Sequence, residues 1–323
     1  MGRGKTLAQI IMALKIGDVE LKSDLLFAPI AGFSEVGFRH LCAKYGAGLT
    51  YTELVSAKGL IYGNKGSEEL LATTSLTTPC AVQLFGADPE FMFKAAKDER
   101  LSKFDIIDIN MGCPVKKVFN NGEGSALMKN PSLVTEIVQA VREASGKPVT
   151  CKMRAGVEMG KPIAVECALA AEKGGAAAVT IHPRYREQFY SGIADHSITR
   201  AVKEAVKIPV IANGDIFDKA SLERVKAKTN ADGFMIARGA LGRPYIFSEL
   251  LDKPFEWQRR EAILEHIAIL RENFADLTVA NIMKLHLCYY ARGERFAKQV
   301  RVAVGEVKNL DELLRVVDNF FQN

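Results

Sequence analysis

The stretch "DINMGCPVKKVFNNGEGSALM", residues 108–128, sets Cys113 between Gly112 and Pro114 where an apolar, strand-like run ends. A buried structural thiol needs no glycine or proline beside it, and a metal site needs further ligands close by. A thiol on such a turn can hold and give up a proton, because its ordinary pKa of about 8.5 keeps it protonated at neutral pH. Other polar residues stand at the same place in their own apolar runs: Gln83, Asn110, Lys152, Arg154, His182, Arg184, Asn213, Asp215 and Arg238. A lysine in an apolar run is costly unless it meets an anion or an electron-rich ring. Lys152 in "TCKMR" therefore points to a bound partner, its plain alternative being a strand-end lysine that reaches solvent. Gln83 offers both donor and acceptor, which suits the edge of a heterocycle. His182 alone reads as a satisfied core histidine; its company with Lys152 and Asn213 raises the functional reading. Gly214, Gly239 and Gly242 follow the last two apolar runs, where backbone N–H groups could cradle a phosphate or could merely make tight turns. In the phosphate reading, Asp215 binds sugar-like hydroxyls and Arg238 pairs with the phosphate.

The elements that must position these residues recur regularly. Between residue 25 and about residue 240 stand "LLFAPIAG", "LTYTELVSA", "PCAVQLFG", "IIDINMGCP", "VTCKMRAG", "AVTIHPR", "PVIANGDI" and "GFMIARGAL". Helical patterns such as Leu133 to Val141 and Ile163 to Ala171 separate most of them. Eight strands alternating with helices predict an α/β TIM (β/α)8 barrel, with a doubly wound sheet as the alternative. The barrel accounts for something the open sheet does not: polar residues at the strand ends all line one mouth. After Pro254 only helical periodicity remains, which divides the chain into a catalytic barrel over 1–254 and a small helical domain over 255–323.

Composition narrows the class. Hydrophobic residues make up 48% of 323 residues, no apolar run is long enough to cross a membrane, and the net charge is +5. The six cysteines have no C-x-x-C pair, which predicts reduced thiols in a cytoplasmic protein. The five histidines are dispersed, so no metal is expected, and no G-x-S-x-G supports a serine hydrolase. The basic N-terminal stretch lacks the features of a secretory signal. Gly2 to Thr6 imitates a phosphate loop and a myristoylation pattern, each only by a loose match. What remains at the mouth is amide, ammonium, imidazole, thiol and a phosphate pocket, an inventory that suits an organic cofactor such as flavin mononucleotide.

The same blocks resemble those of the tRNA-dihydrouridine synthases. "APIAG" (28–32), "TELVSAKGL" (52–60), "VQLFG" (82–86), "INMGCPVKKV" (109–118), "GSALM" (124–128), "CKMRAG" (151–156), "IHPR" (181–184), "ANGD" (212–215) and "IARGALGRPYIF" (236–247) follow the family's order. The tail's "IMKLHLCYYARG" (282–293) is similar to that family's RNA-binding helical domain. The resemblance implies an FMN-dependent barrel enzyme, reduced by NADPH, that reduces the C5=C6 bond of a uridine in tRNA. It implies that Cys113 gives a proton to C5 while hydride reaches C6. It implies FMN contacts from Pro29, Ile30, Ala31, Gln83, Lys152, His182, Asn213, Gly214, Asp215, Ala237 and Arg238. Departures at Tyr185 and His196 lie where substrate passes and leave the target nucleotide open.

RNA contacts are expected from Asn110, Lys116, Arg154, Arg184 and Arg186 near the mouth, and from Lys284, Arg292, Arg295, Lys298 and Arg301 in the tail. Residues 284 to 308 hold six Lys/Arg against two Glu, with Tyr289 and Tyr290 alongside; a solvated helix face is the plain alternative. The expected unit is a monomer without membrane attachment. The same chemistry on ribosomal RNA, a dihydroorotate-dehydrogenase-like enzyme for a free pyrimidine, and a non-catalytic RNA-binding barrel are the rival readings.

Overall fold

The structure, a computed structural model, describes residues 14–77 and 79–322. Gly2 to Thr6, with their phosphate-loop and myristoylation look-alikes, lie outside the described residues. Each of the eight apolar runs forms a strand: β1 Leu25–Phe27, β2 Leu49–Ser56, β3 Cys80–Phe85, β4 Ile106–Met111, β5 Val149–Gly156, β6 Ala178–Tyr185, β7 Val210–Asn213 and β8 Gly233–Ile236. All neighbours pair in parallel and β8 closes back on β1, so the sheet is a barrel and the doubly wound alternative falls. The runs are nearly continuous in apolar residues because both faces are covered, by the barrel interior and by outer helices.

Those helices are α1 Val36–Lys44, α2 Pro89–Ala96, α3 Pro131–Ser145, α4 Ala164–Gly174, α5 His196–Ala205 and α6 Lys219–Thr229. Local signals start and stop them. Asp88 and Asn130 cap α2 and α3 ahead of prolines that need no N–H, and Gly146 ends α3 at φ 63°. Before β1, Lys15–Ile16 and Val19–Glu20 form a small antiparallel hairpin. Its Ile16, with Leu14 and Leu21, packs on Leu26, Tyr51, Ala178 and Met235 and seals the barrel at the strands' N-terminal ends. The opposite end stays open.

Four more helices follow: α7 Arg259–Asn273, α8 Asp276–Tyr290, α9 Ala297–Glu306 and α10 Leu310–Phe320. Ile263, Leu270, Met283, Leu287 and Leu313 share one buried cluster with Phe27 and Phe38. The helical tail is therefore held to the flank of β1 and α1 by apolar burial, on the order of 1.5–3 kcal/mol for each large side chain.

Candidate functional site at the barrel mouth

Strand ends are where register breaks. β2 shifts register against β3 between Tyr51 and Leu54, and β5 shifts against β6 between Arg154 and Gly156. Such bulges turn side chains off the regular inward and outward alternation. Around them opens a cavity of about 420 Å³, within the size range of small-molecule sites. Pro29, Ile30 and Ala31 line it after β1, Gln83 on β3, Asn110 and Cys113 at β4, and Lys152 and Arg154 on β5. His182 lines it on β6, Asn213, Gly214 and Asp215 at β7, and Ala237 and Arg238 after β8. All eleven expected cofactor contacts and the expected catalytic thiol thus share one wall.

Cys113 is half-buried and firmly held. Its N–H donates to Asn110 Oδ1 at 2.9 Å, and its carbonyl accepts from Ser125 Oγ at 2.9 Å. Gly124 sits at φ +61°, where a Cβ would lie 3.0 Å from Cys113 Cβ, so the glycine behind the thiol is a packing requirement. Burial raises the thiol above its usual range, with the Val115 N–H and Arg154 pulling the other way. The group is therefore a thiol at neutral pH, charged with a proton it can give. Of the other cysteines, Cys42, Cys80, Cys151 and Cys167 are buried, whereas Cys288 is only partly covered.

The field at the mouth is positive. Lys152 is lowered to about 8 by burial and then by Arg154, with Asp108 opposing. His182 falls well below its usual range through burial and the cations Lys152, Arg154, Arg184 and Arg238, so it is neutral. Its Nε2 lies 3.3 Å from Arg184 Nη1, which can only donate, so the imidazole proton belongs on Nδ1. Asp215 answers this charge in part, at φ 55°, with Arg184 Nη2 at 2.8 Å and Arg238 Nη2 at 3.2 Å. After β8, Arg238 and Gly239 donate their N–H groups to no protein acceptor among the described residues. At Gly239 a Cβ would meet the Ile216 carbonyl at 2.3 Å, so only glycine brings the chain this close. These donors, Arg238 and the neutral imidazole fit a phosphate, and Lys152 with Gln83 fits the electron-rich edge of a ring.

Two expected RNA contacts turn inward. Arg184 is 1% exposed; besides Asp215 and His182 it donates to the carbonyls of Ser191 and Gly192. Arg154 is 2% exposed, lines the cavity, and holds the carbonyls of Gly112, Tyr185 and Phe189. Both act as clamps, because the chain after β6 folds back over them, and Arg154 also faces the cavity at the mouth, as expected. Tyr290 turns inward likewise: it is buried and its hydroxyl meets His266 at 3.2 Å. Arg186 stacks on Phe119 at 3.7 Å beside the mouth, and Lys116 is exposed at the start of a short helix, 116–120. In the tail Arg292, Arg295, Lys298 and Arg301 are exposed and Lys284 half-buried, none with an ion-pair partner among the described residues.

The residue pattern did not single out a second cavity of about 400 Å³ that joins the first at Phe217, Arg238 and Gly239. It is lined also by Arg243, Arg259 and Arg292 with Tyr245 and Trp257, at the seam between barrel and tail. Its one legible signal is "LGRPY": Gly242 at φ +74° lies so near Tyr289 that a Cβ would come within 2.2 Å of its carbonyl. Nor did spacing reveal that Glu35, His266 and His286 meet inside the molecule with ligand atoms within 4.8 Å. Glu35 already accepts from Gly37 and Phe38 N–H at 2.6 and 2.8 Å and meets His266 at 2.7 Å.

Barrel, thiol and positive mouth suit a flavin-dependent oxidoreductase, and the family match places the chain in that class. The chain belongs to the dihydrouridine synthase family, whose model matches residues 26–323. It is 37% identical over 302 residues to the probable tRNA-dihydrouridine synthase of Rickettsia conorii, covering 90% of this chain and 91% of that one. It is 36% identical over 317 residues to tRNA-dihydrouridine synthase B of Shewanella oneidensis, covering 95% and 98%. Among solved structures, histamine dehydrogenase from Rhizobium sp. 4-9 shares the fold at TM-score 0.57 and 13% identity, over 81% of this chain and 51% of that chain. Morphinone reductase in complex with tetrahydroNAD does so at 0.54 and 15%, over 78% and 93%.

Proposed function

We propose that the protein reduces the C5=C6 bond of a uridine in tRNA to 5,6-dihydrouridine, with FMN as cofactor and NADPH as reductant. The tRNA named for the relatives supports the substrate. The carrying observation is Cys113, a protonated thiol on the wall that also holds Lys152, Gln83 and the phosphate-ready turns. FMN held by these residues would supply the hydride for C6 of the base, drawn from NADPH. Cys113 supplies the matching proton: its S–H bond breaks, C5 gains the hydrogen, and the thiolate left behind is reprotonated from solvent. Gln83 and Asn110 orient the ring edge, Lys152 steadies negative charge there, and Arg238 with the Gly239 turn holds the phosphate.

A uridine in folded RNA must swing out to reach this depth, which calls for cations around the entrance. Lys116 and Arg186 stand at the rim, the arginine-lined second cavity adjoins it, and residues 284–308, with six Lys/Arg against two Glu, extend the basic face. Among the described residues no helix is long and apolar enough to cross a membrane. A cytoplasmic monomer suffices for this reading, since one chain carries both cavity and basic face. Mass spectrometry of tRNA from a deletion strain tests it. Loss of dihydrouridine at one or more positions is expected; unchanged tRNA with altered ribosomal RNA or pyrimidine pools would overturn it.

A further inference from the structure

Asp108 is an acid in the middle of β4, 0% exposed, and the chemistry above does not use it. It is the end of a chain of hydrogen bonds. Gln83 Nε2 donates to Asp108 Oδ2 at 2.7 Å, and Asn110 Nδ2 donates to Gln83 Oε1 at 2.7 Å. The N–H groups of Gly112 and Cys113 donate to Asn110 Oδ1 at 3.2 and 2.9 Å. Thr150 donates its hydroxyl to the other oxygen of Asp108.

The direction of this chain is forced from both ends. Backbone N–H groups can only donate, so Asn110 must turn its oxygen to Cys113 and its nitrogen to Gln83. Gln83 must then present its oxygen to Asn110 and its nitrogen to the barrel interior, where a partner that accepts is required. An amide pair without that acceptor leaves a buried N–H unpaired, or turns over and sets Asn110 Nδ2 against two backbone donors. The carboxylate removes the choice. It also decides what the cavity sees, since both oxygens of the pair are engaged and each amide keeps one N–H to offer a ligand carbonyl.

We propose that Asp108 is a positioning residue that acts through Gln83 and Asn110 to hold the Cys113 turn and to fix the donor edge shown to the bound ring. Burial raises Asp108 to about 6, with Gln83, Thr150 and Lys152 opposing, so the acceptor is ionised at the pH where the turn is needed.

The test compares Asp108→Leu, which cannot accept, with Asp108→Asn, which keeps an oxygen for Gln83 while Thr150 accepts from its nitrogen. Two readouts need no cofactor and no RNA: hydrogen exchange of the Gly112 and Cys113 N–H groups, and alkylation of Cys113 by iodoacetamide with Cys288 as internal reference. Asp108→Leu is expected to speed both at least tenfold at Cys113 and leave Cys288 unchanged, while Asp108→Asn stays within about threefold of wild type. In an Asn110→Ala background Asp108→Leu is expected to add nothing, the mark of action through Asn110. Unchanged exchange and alkylation, or effects that add in full to those of Asn110→Ala, would overturn the proposal. Should Asp108→Leu not fold, Thr150→Val and Gln83→Met interrupt the same chain and are read against the same outcomes. Uridine reduction, expected to fall at least tenfold, rests on the proposed activity; the two cofactor-free readouts do not.

Discussion

The barrel mouth and the seam beneath the helical tail each bury histidine, carboxylate and hydrogen-bond donors, yet they are built on opposite principles. At the seam, Glu35 caps α1, takes two backbone N–H groups, meets His266 at 2.7 Å and has His286 at 3.5 Å. Burial works to raise Glu35, but His266, then His286 and the Phe38 N–H, bring it down to about 2. The acid is fully answered within the protein. At the mouth, four cations surround His182 while Asp215 answers only two of them, and turn N–H groups find no protein acceptor among the described residues. A buried polar cluster whose acid is met by the protein's own donors holds the fold; one left with donors and positive charge in excess awaits a ligand.

The largest effect that would break this contrast is at the mouth. Cys113→Ala is expected to keep flavin and NADPH oxidation and to lose about 10²–10⁴-fold in uridine reduction, the usual worth of a general acid. Single-turnover dihydrouridine formation from pre-reduced enzyme measures it, and near-normal formation would remove Cys113 from the chemistry. Lys152→Ala comes next. Losing a charge-assisted contact of about 1.5–3 kcal/mol should weaken FMN binding about 10- to 100-fold, read by flavin fluorescence, in a protein that stays folded. A wild type that binds no FMN at all would sink the cofactor assignment.

Reading the sequence succeeded where one residue's neighbours carry the information. The eight strands announce themselves as apolar runs, and α2 and α3 by their caps and prolines. Cys113 stands out because Gly112, Pro114 and Gly124 are needed to bring something near it. The failures share a different cause. Arg184 and Arg154 are legible as mouth residues at strand ends, but their clamping of backbone carbonyls depends on the path of residues 185–192 over them. Glu35 and His266 are 231 residues apart, a pairing no local periodicity can express. Asp108 looked like one more residue of a strand, because its partners come from β3 and β5.

At the seam the expected effects are on stability and not on chemistry. Glu35→Ala removes a helix cap, worth about 1 kcal/mol, and leaves a buried histidine unpaired, about 1–3 kcal/mol more. A loss of about 3 kcal/mol in urea unfolding is expected, with the flavin spectrum unchanged in the folded state. The pH dependence has a definite sign. Glu35, at about 2 against an ordinary 4.5, contributes stability that is complete above 4.5 and lost as pH falls toward 2. His286 is lowered to about 3 from 6.5 by burial and then by His266, with Glu35 opposing; it takes a proton on unfolding below 6.5 and costs stability progressively down to 3. Both push the same way, so melting temperature should drop as pH falls below 6.5. In Glu35→Ala the drop between 6.5 and 4.5 should be at least as steep, because Glu35 opposes the lowering of His286, and only the part below 4.5 should shrink. A flat profile would show the seam to be electrically idle.

The smallest effect concerns the outer face of the tail, where charge is left over as at the mouth but in full solvent. Lys298 and Arg301 are exposed and have no ion-pair partner among the described residues. In water an unpaired surface cation costs little, so the excess alone proves nothing about a ligand. A polyanion changes that, because each phosphate neutralised releases a counterion and the log–log slope of affinity against salt steepens by about 0.7–0.9. The double substitution Lys298→Glu, Arg301→Glu should therefore weaken tRNA binding at low salt and flatten the slope by about 2, while flavin reduction by NADPH keeps its rate. Dihydrouridine should still form at the same positions, since phosphate contacts place the RNA without reading a base. Affinity across a salt series decides it. Equal slopes for wild type and the double variant would mean that excess charge marks a ligand site only where it is buried, as at the mouth.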